Sequence, residues 1–252
     1  MSIATGVYPI QPQPGLLGQT VVVIGGTSGI GLETARRARG EGAKLILAAR
    51  NSERLEEISR ELGALSTAAF DATNFDQLKQ FFDGLPMIDQ LLVTGPGPYY
   101  STLAELDIEK ARRDVEAHLL LPLEVARDAS KKVRPGGTLL FMSGTGGRRT
   151  APGMALTSAI TAALPAMIKN LALELAPVRV NLMAAGFVDS PLSASLLGEQ
   201  LNKRREQLRA TLPIHRVIEP ADIAALAVFL MTNTAMTGGT YDIDGGEQLV
   251  EG

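Results

Sequence analysis

Cysteine is absent from the 252 residues, so neither a disulfide framework nor thiolate chemistry is open to this chain. Histidine occurs twice, too seldom for a metal cluster built on imidazole, and no metal site is expected. An excess of positive charge is missing too: 24 Lys and Arg stand against 27 Asp and Glu, a formal net charge of -3. That balance leaves nothing with which to coat a phosphate backbone, so nucleic acid is excluded as an expected partner. No apolar run approaches the roughly 20 residues that cross a bilayer, and no basic N-terminal segment leads into an apolar one. The expectation is a cytoplasmic chain with no membrane partner.

What is present is apolar content of 45%, enough for one large core. Residues 1–15, with Pro9, Pro12 and Pro14, read as a Pro-rich arm ahead of a single domain over 16–252. Short apolar runs at Val21 to Ile24, Leu45 to Ala49, Leu91 to Val93, Leu139 to Met142 and Val178 to Met183 read as strands buried on both faces. Between them Ile30 to Arg39, Ser52 to Leu62, Asn74 to Phe82, Ile108 to Lys132 and Met154 to Ala176 place apolar residues three or four apart, as helices do. Strand alternating with helix predicts an α/β fold, a doubly wound parallel sheet of Rossmann type with helices on both faces. The polar, amphipathic stretch Ser193 to Arg209 fits either a core-packing helix or a mobile lid.

Directly after the first strand comes Gly25-Gly26-Thr27-Ser28-Gly29-Ile30-Gly31, and a helical pattern follows at once. A nucleotide pyrophosphate needs a tight turn, close backbone approach and free N–H groups at a helix N-terminus; Gly25, Gly29 and Gly31 supply the first two. About twenty residues on, where an acid would bond an NAD ribose hydroxyl, stand Ala49, Arg50 and Asn51. Small Ala49 leaves room, and the Arg50 guanidinium suits a 2'-phosphate, so NADP(H) is the expected cofactor. The plainer alternative is a solvated arginine at a strand end.

From about Leu16 onward the chain resembles the short-chain dehydrogenase/reductase family, on several separate stretches. Gly25 to Gly31 is similar to its glycine motif, and Phe70-Asp71-Ala72 to its third-strand end, where Asp and the next amide meet adenine. Arg179-Val180-Asn181 and Ala185-Gly186-Phe187-Val188-Asp189-Ser190 resemble its sixth strand and carboxamide-binding turn, with Ala185 where Pro is usual. Pro220 to Ala224 and Asp242 to Gly246 resemble its late helix start and closing strand. The resemblance implies about seven strands, a nicotinamide cofactor, and often a dimer or tetramer built through two long helices, here Ile108 to Lys132 and Met154 to Ala176. Gly95, in place of the usual fourth-strand motif, would carry backbone past the cofactor ribose.

In that family Ser polarises a carbonyl, Tyr donates the proton, Lys lowers the Tyr pKa and Asn holds a relay water. Ser143 matches the serine, but the resemblance puts Thr157 and Thr161 at the Tyr and Lys positions. The only tyrosines are Tyr8, Tyr99, Tyr100 and Tyr241, and none has Lys four residues later. His118 falls at the Asn position and is either a replacement acid or a bonded helix histidine. Tyr99 and Tyr100 either line a substrate pocket or pack. Two functions stay open: an NADP(H)-dependent oxidoreductase with an altered active site, acting on a small carbonyl, imine or activated alkene through Ser143, His118 or Tyr100, and a catalytically silent NADP(H)-binding protein.

Overall fold

The computed structural model describes residues 15–148 and 151–250, so residues 1–14 of the expected arm lie outside it. Seven parallel strands form one sheet in the order β3-β2-β1-β4-β5-β6-β7. They are β1 Thr20–Ile24, β2 Lys44–Ala49, β3 Ser66–Ala69, β4 Ile88–Val93, β5 Val133–Gly144, β6 Arg179–Ala185 and β7 Thr240–Ile243. Strand order reverses between β1 and β4, which pair in register from Val21↔Gln90 to Ile24↔Val93. In such sheets the carboxyl ends of the strands at this reversal open into a ligand crevice.

The helices follow from caps as much as from periodicity. Helix α1 (Gly29–Gly40) starts at Ser28, and α2 (Ser52–Leu62) is capped by Asn51, whose Oδ1 accepts from Arg54 N at 2.8 Å. Helix α3 (Phe75–Gly84) is capped likewise by Asn74. The expected single helix from Ile108 to Lys132 is three pieces instead. Helix α4 (Ile108–Val115) opens into a π turn over Glu116–Leu120 before α5 (Leu121–Ala129), with Pro122 at its first turn. Apolar spacing runs on through a π turn, which adds one residue without breaking the stripe, so the sequence pattern does not mark it.

Helix α6 (Ala155–Glu174) buries Ile160, Leu164, Ile168 and Leu171 on the face of the sheet that carries Leu91, Leu139, Phe141 and Val180. By length and composition it could cross a membrane; its inward stripe instead completes this core, each large side chain contributing about 1.5–3 kcal/mol. Ser193 to Arg209 divides into α7 (Pro191–Leu197), none of whose residues is buried, and α8 (Leu201–Thr211), which buries Leu208 against Leu212 and Val217. Helix α8 is tied to the turn after β6 by a bidentate pair between Arg205 and Asp189, both bonds 2.8 Å. Helix α9 (Pro220–Thr232) packs on α1 across the other face. At the base of the sheet the buried Arg179 guanidinium donates to carbonyls of Gly136, Leu230, Met231, Asn233 and Met236, and burial lowers its pKa.

Candidate active site

Past β1 the chain turns so tightly that side chains have no place in it. A Cβ on Gly31 would stand 2.1 Å from the Gly25 carbonyl oxygen, and one on Gly25 would stand 2.0 Å from Thr94 Oγ1. Thr94 Oγ1 donates to Ile24 O at 3.1 Å and so fastens the turn to the end of β4. Gly29 differs: a Cβ there meets only Ser190 Cβ at 3.8 Å and Pro191 Cδ at 3.9 Å, and its φ of +50° is the constraint. Gly25 and Gly31 therefore shape the turn, while Gly29 keeps open space in front of it. Ser28 makes no side-chain cap, so the first N–H groups of α1 and its positive dipole end face that space.

The space is a cleft of about 520 Å³. It gathers Gly25, Thr27, Ser28, Gly29, Ile30 and Gly31 from the loop, Arg50 and Asn51 after β2, Asp71 and Ala72 after β3, Gly95 after β4, and Ser190 before α7. Arg50 is exposed and makes no ion pair or hydrogen bond among the described residues. Asp71 accepts from Thr73 N at 3.0 Å and Thr73 Oγ1 at 2.7 Å. Burial works against its charge, but those two bonds and the Arg50 charge outweigh burial and lower its pKa. The α1 amides, the Arg50 guanidinium and the Asp71 carboxylate thus lie along one trough, and a dinucleotide phosphate fits this donor set.

Val188 and Ser143, also expected at the cofactor, do not line the cleft. Val188 is buried and bridges to Ile218 in a short parallel pairing. Ser143 ends β5, half-buried, its Oγ donating at 3.4 Å to Gly144 O. Around it the hydroxyls are already engaged. Thr157 is buried and donates to Tyr99 O at 3.3 Å; Thr161 donates back to Thr157 O at 2.8 Å and Ser158 O at 3.2 Å. The turn Thr145–Arg148 lies against α6 so closely that a Cβ on Gly147 would be 2.9 Å from Thr161 Oγ1.

His118 sits inside the π turn with both ring nitrogens facing acceptors. Nδ1 is 3.0 Å from Asp114 Oδ1 and 3.1 Å from Asp114 O; Nε2 is 3.1 Å from Pro96 O. Burial disfavours the imidazolium, yet the Asp114 carboxylate and these carbonyls more than offset it, and the His118 pKa is raised. Tyr100 is half-exposed, and burial, then the charges of Asp114 and Glu247, push its phenol up, the reverse of what an adjacent ammonium does. Tyr99 is tied at both ends, its Oη accepting from Asp107 N at 3.1 Å and its own N–H donating to Asp114 Oδ1 at 3.0 Å.

Sequence reasoning missed Thr94, Asp114 and the cleft-lining Arg113 and Leu192. Asp114 had a signal: an acid four residues before a histidine shares its helix face. Leu192 had none, because its approach to Gly97, where a Cβ would be 2.9 Å away, depends on the angle of α7.

Comparison with known proteins places this arrangement. Residues 24–248 match the family described as Enoyl-(Acyl carrier protein) reductase. A short-chain dehydrogenase/reductase of Stachybotrys chlorohalonatus, ATR9, is 29% identical over 94% of this chain and 99% of its own length. A 3-oxoacyl-[acyl-carrier-protein] reductase, FabG of Rickettsia prowazekii, is 29% identical over 93% of this chain and 99% of its own. A crystal structure of a small-chain dehydrogenase in complex with NADPH superposes with a TM-score of 0.80 at 27% identity, covering 92% of this chain and 99% of that one. Sheet order, glycine turn and full-length similarity agree, and the chain belongs to the short-chain dehydrogenase/reductase family.

Proposed function

We propose that this protein is an NADP(H)-dependent oxidoreductase that moves a hydride to a small carbonyl, imine or activated alkene. The observation that carries the reading is the single cleft joining the α1 N-terminus to the Arg50 guanidinium, which has no ion pair among the described residues. The α1 amides bind the pyrophosphate, Arg50 and Asn51 the 2'-phosphate, Asp71 and the Ala72 amide the adenine. Gly95 passes backbone along the ribose, and the Val188 to Ser190 turn holds the carboxamide. The reduced nicotinamide, when bound, supplies the hydride and is thereby oxidised. Two relatives support this cofactor class and chemistry: the small-chain dehydrogenase carries NADPH, and the Rickettsia protein is a reductase of a thioester-linked ketone.

In this reading the Tyr and Lys positions of the family are held by Thr157 and Thr161, and the acid moves to His118. Ser143 polarises the acceptor oxygen, and Tyr100 borders the substrate without donating its proton. An activated alkene asks least of such a site, since hydride goes to carbon and the enolate needs only hydrogen-bond donors. The family description, with its enoyl substrate, agrees with that preference.

The specific observation behind a silent binding protein is that both threonine hydroxyls are spent on backbone carbonyls. Loss of reduced-nicotinamide absorbance with ketones, quinones, imines and enoyl thioesters separates the two readings, with NADPH binding measured in parallel. Turnover of any one is the expected result; tight NADPH binding with none turned over assigns the silent role. A second copy of this chain is the proposed partner, seated on exposed Leu120, Leu123 and Leu173 of α5, the π turn and α6. Sedimentation should give a dimer or tetramer, and Leu123→Lys should shift it toward monomer.

A further inference from the structure

Asp114 is a carboxylate with a side chain only 3% exposed, on helix α4, whose other acid, Glu109, faces solvent. Its Oδ1 accepts from Tyr99 N–H and faces His118 Nδ1, both at 3.0 Å, while its Oδ2 is buried with no partner among the described residues. A buried carboxyl group served by one backbone amide is poorly compensated, and among the described residues a protonated His118 is the cation within bonding distance of it. A protonated ring is also the form His118 needs, because both its nitrogens face acceptors only. His118 lies in the π turn at Glu116–Leu120, and Asp114 in the helix just before it. There the ring meets Gly95, a wall of the cleft: a Cβ at 95 would lie 3.7 Å from Nε2, so glycine leaves the side of that nitrogen not held by Pro96 O without a side chain against it.

We propose that Asp114 is a positioning residue that holds the His118 imidazolium behind Gly95, making His118 the acid that completes reduction. The proposal rests on the oxidoreductase reading. As hydride adds to the electrophilic carbon, the π pair moves to the carbonyl oxygen, imine nitrogen or enolate. The Nε2 proton passes to that centre, or to the enolate carbon, and imidazolium becomes imidazole, which water reprotonates. The charged or titratable groups nearby are few. Helix α4 carries Arg113 and the π turn Glu116, both of which line the cleft; the loop from Gly95 brings the Tyr99 and Tyr100 phenols; among the described residues α6 brings the Thr157 hydroxyl. Tyr100 feels Asp114 and Glu247, and Glu247 is itself paired with Arg204 at 2.6 Å.

With two histidines in the chain, the imidazole carbon-bound protons titrate separately by NMR, assigned by His215→Asn. In wild type without cofactor, His118 should titrate above about 6.5, and Asp114→Asn, which keeps an acceptor for Tyr99 N–H, should lower it by about one unit, a tenfold change in acidity. A wild-type midpoint at or below that value overturns the pairing, as does indifference to Asp114→Asn; if that variant fails to fold, the wild-type midpoint alone decides. In turnover, kcat should fall as pH rises through the His118 midpoint, and in Asp114→Asn the fall should move to lower pH with KM little changed. A pH profile that ignores the measured midpoint overturns the acid assignment. Absence of turnover on every substrate removes the oxidoreductase reading, whereas the titration, read without substrate, still decides whether Asp114 sets the charge of His118.

Discussion

Along the carboxyl edge of the sheet, the turn after β1 presents backbone to the cleft, with the Arg50 and Asp71 side chains beyond it, whereas β5 and α6 present side chains already bonded to the protein itself. The glycine turn is shaped by collisions at 2.0 and 2.1 Å that only missing side chains avoid. At the other end the hydroxyls of Thr157 and Thr161 point inward to carbonyls, and the 145–148 turn is packed against them. A site made of backbone is specified by what cannot be there. A site made of side chains is specified by one identity at a time, and can change without disturbing its frame.

Four experiments would break or sharpen that contrast. Gly31→Ala should abolish NADPH binding in a fluorescence titration and lower stability by about 2–4 kcal/mol, since the methyl has backbone as its neighbour. A variant that binds normally would show that the turn yields. Arg50→Ala should weaken NADPH by about 10- to 100-fold, with NADH changed less than about threefold, because a charge-assisted bond to a phosphate is lost. Equal weakening of both nucleotides removes the assignment. Combining Thr157→Tyr with Thr161→Lys should cost about 1–3 kcal/mol in thermal unfolding and raise turnover less than about threefold, because Gly147 occupies the space the longer side chains need. A large rescue would mean the catalytic end lacks those two groups and nothing else. Thr161→Val should change stability by less than about 1 kcal/mol and turnover hardly at all, since its hydroxyl only bonds back along the helix.

Five strands were readable from their apolar runs, because strands buried on both faces lack polar interruptions. Strand β3 was not: Ser66-Thr67-Ala68-Ala69 sits at the sheet edge, largely exposed, and its existence followed only from family resemblance. The same holds for β7, at the opposite edge with Tyr241 and Asp242 in it. Strand β5 runs back to Val133 through Pro135 and two glycines, residues that normally end a strand; β4 takes up the irregularity in its pairing between Ile88 and Gln90. Of the expected cofactor residues, those in the loop, after β2 and after β3 meet in one cleft because each lies past the carboxyl end of a strand. Asp114 escaped notice because an acid among the charged residues of a helix reads as solvated, and its burial depends on the chain returning at Tyr99.

The five carbonyls gathered by Arg179 lie at the end of the strands remote from the cleft. One cation there does the work of a keystone, joining the end of α9, the turn before β7 and the Gly136 bend of β5 to the start of β6. Strength and chemistry are thereby housed at opposite ends of the same strands. Substitutions at the cleft end draw nothing from the tie at the base, so the carboxyl edge is free to vary on a sheet that stays whole.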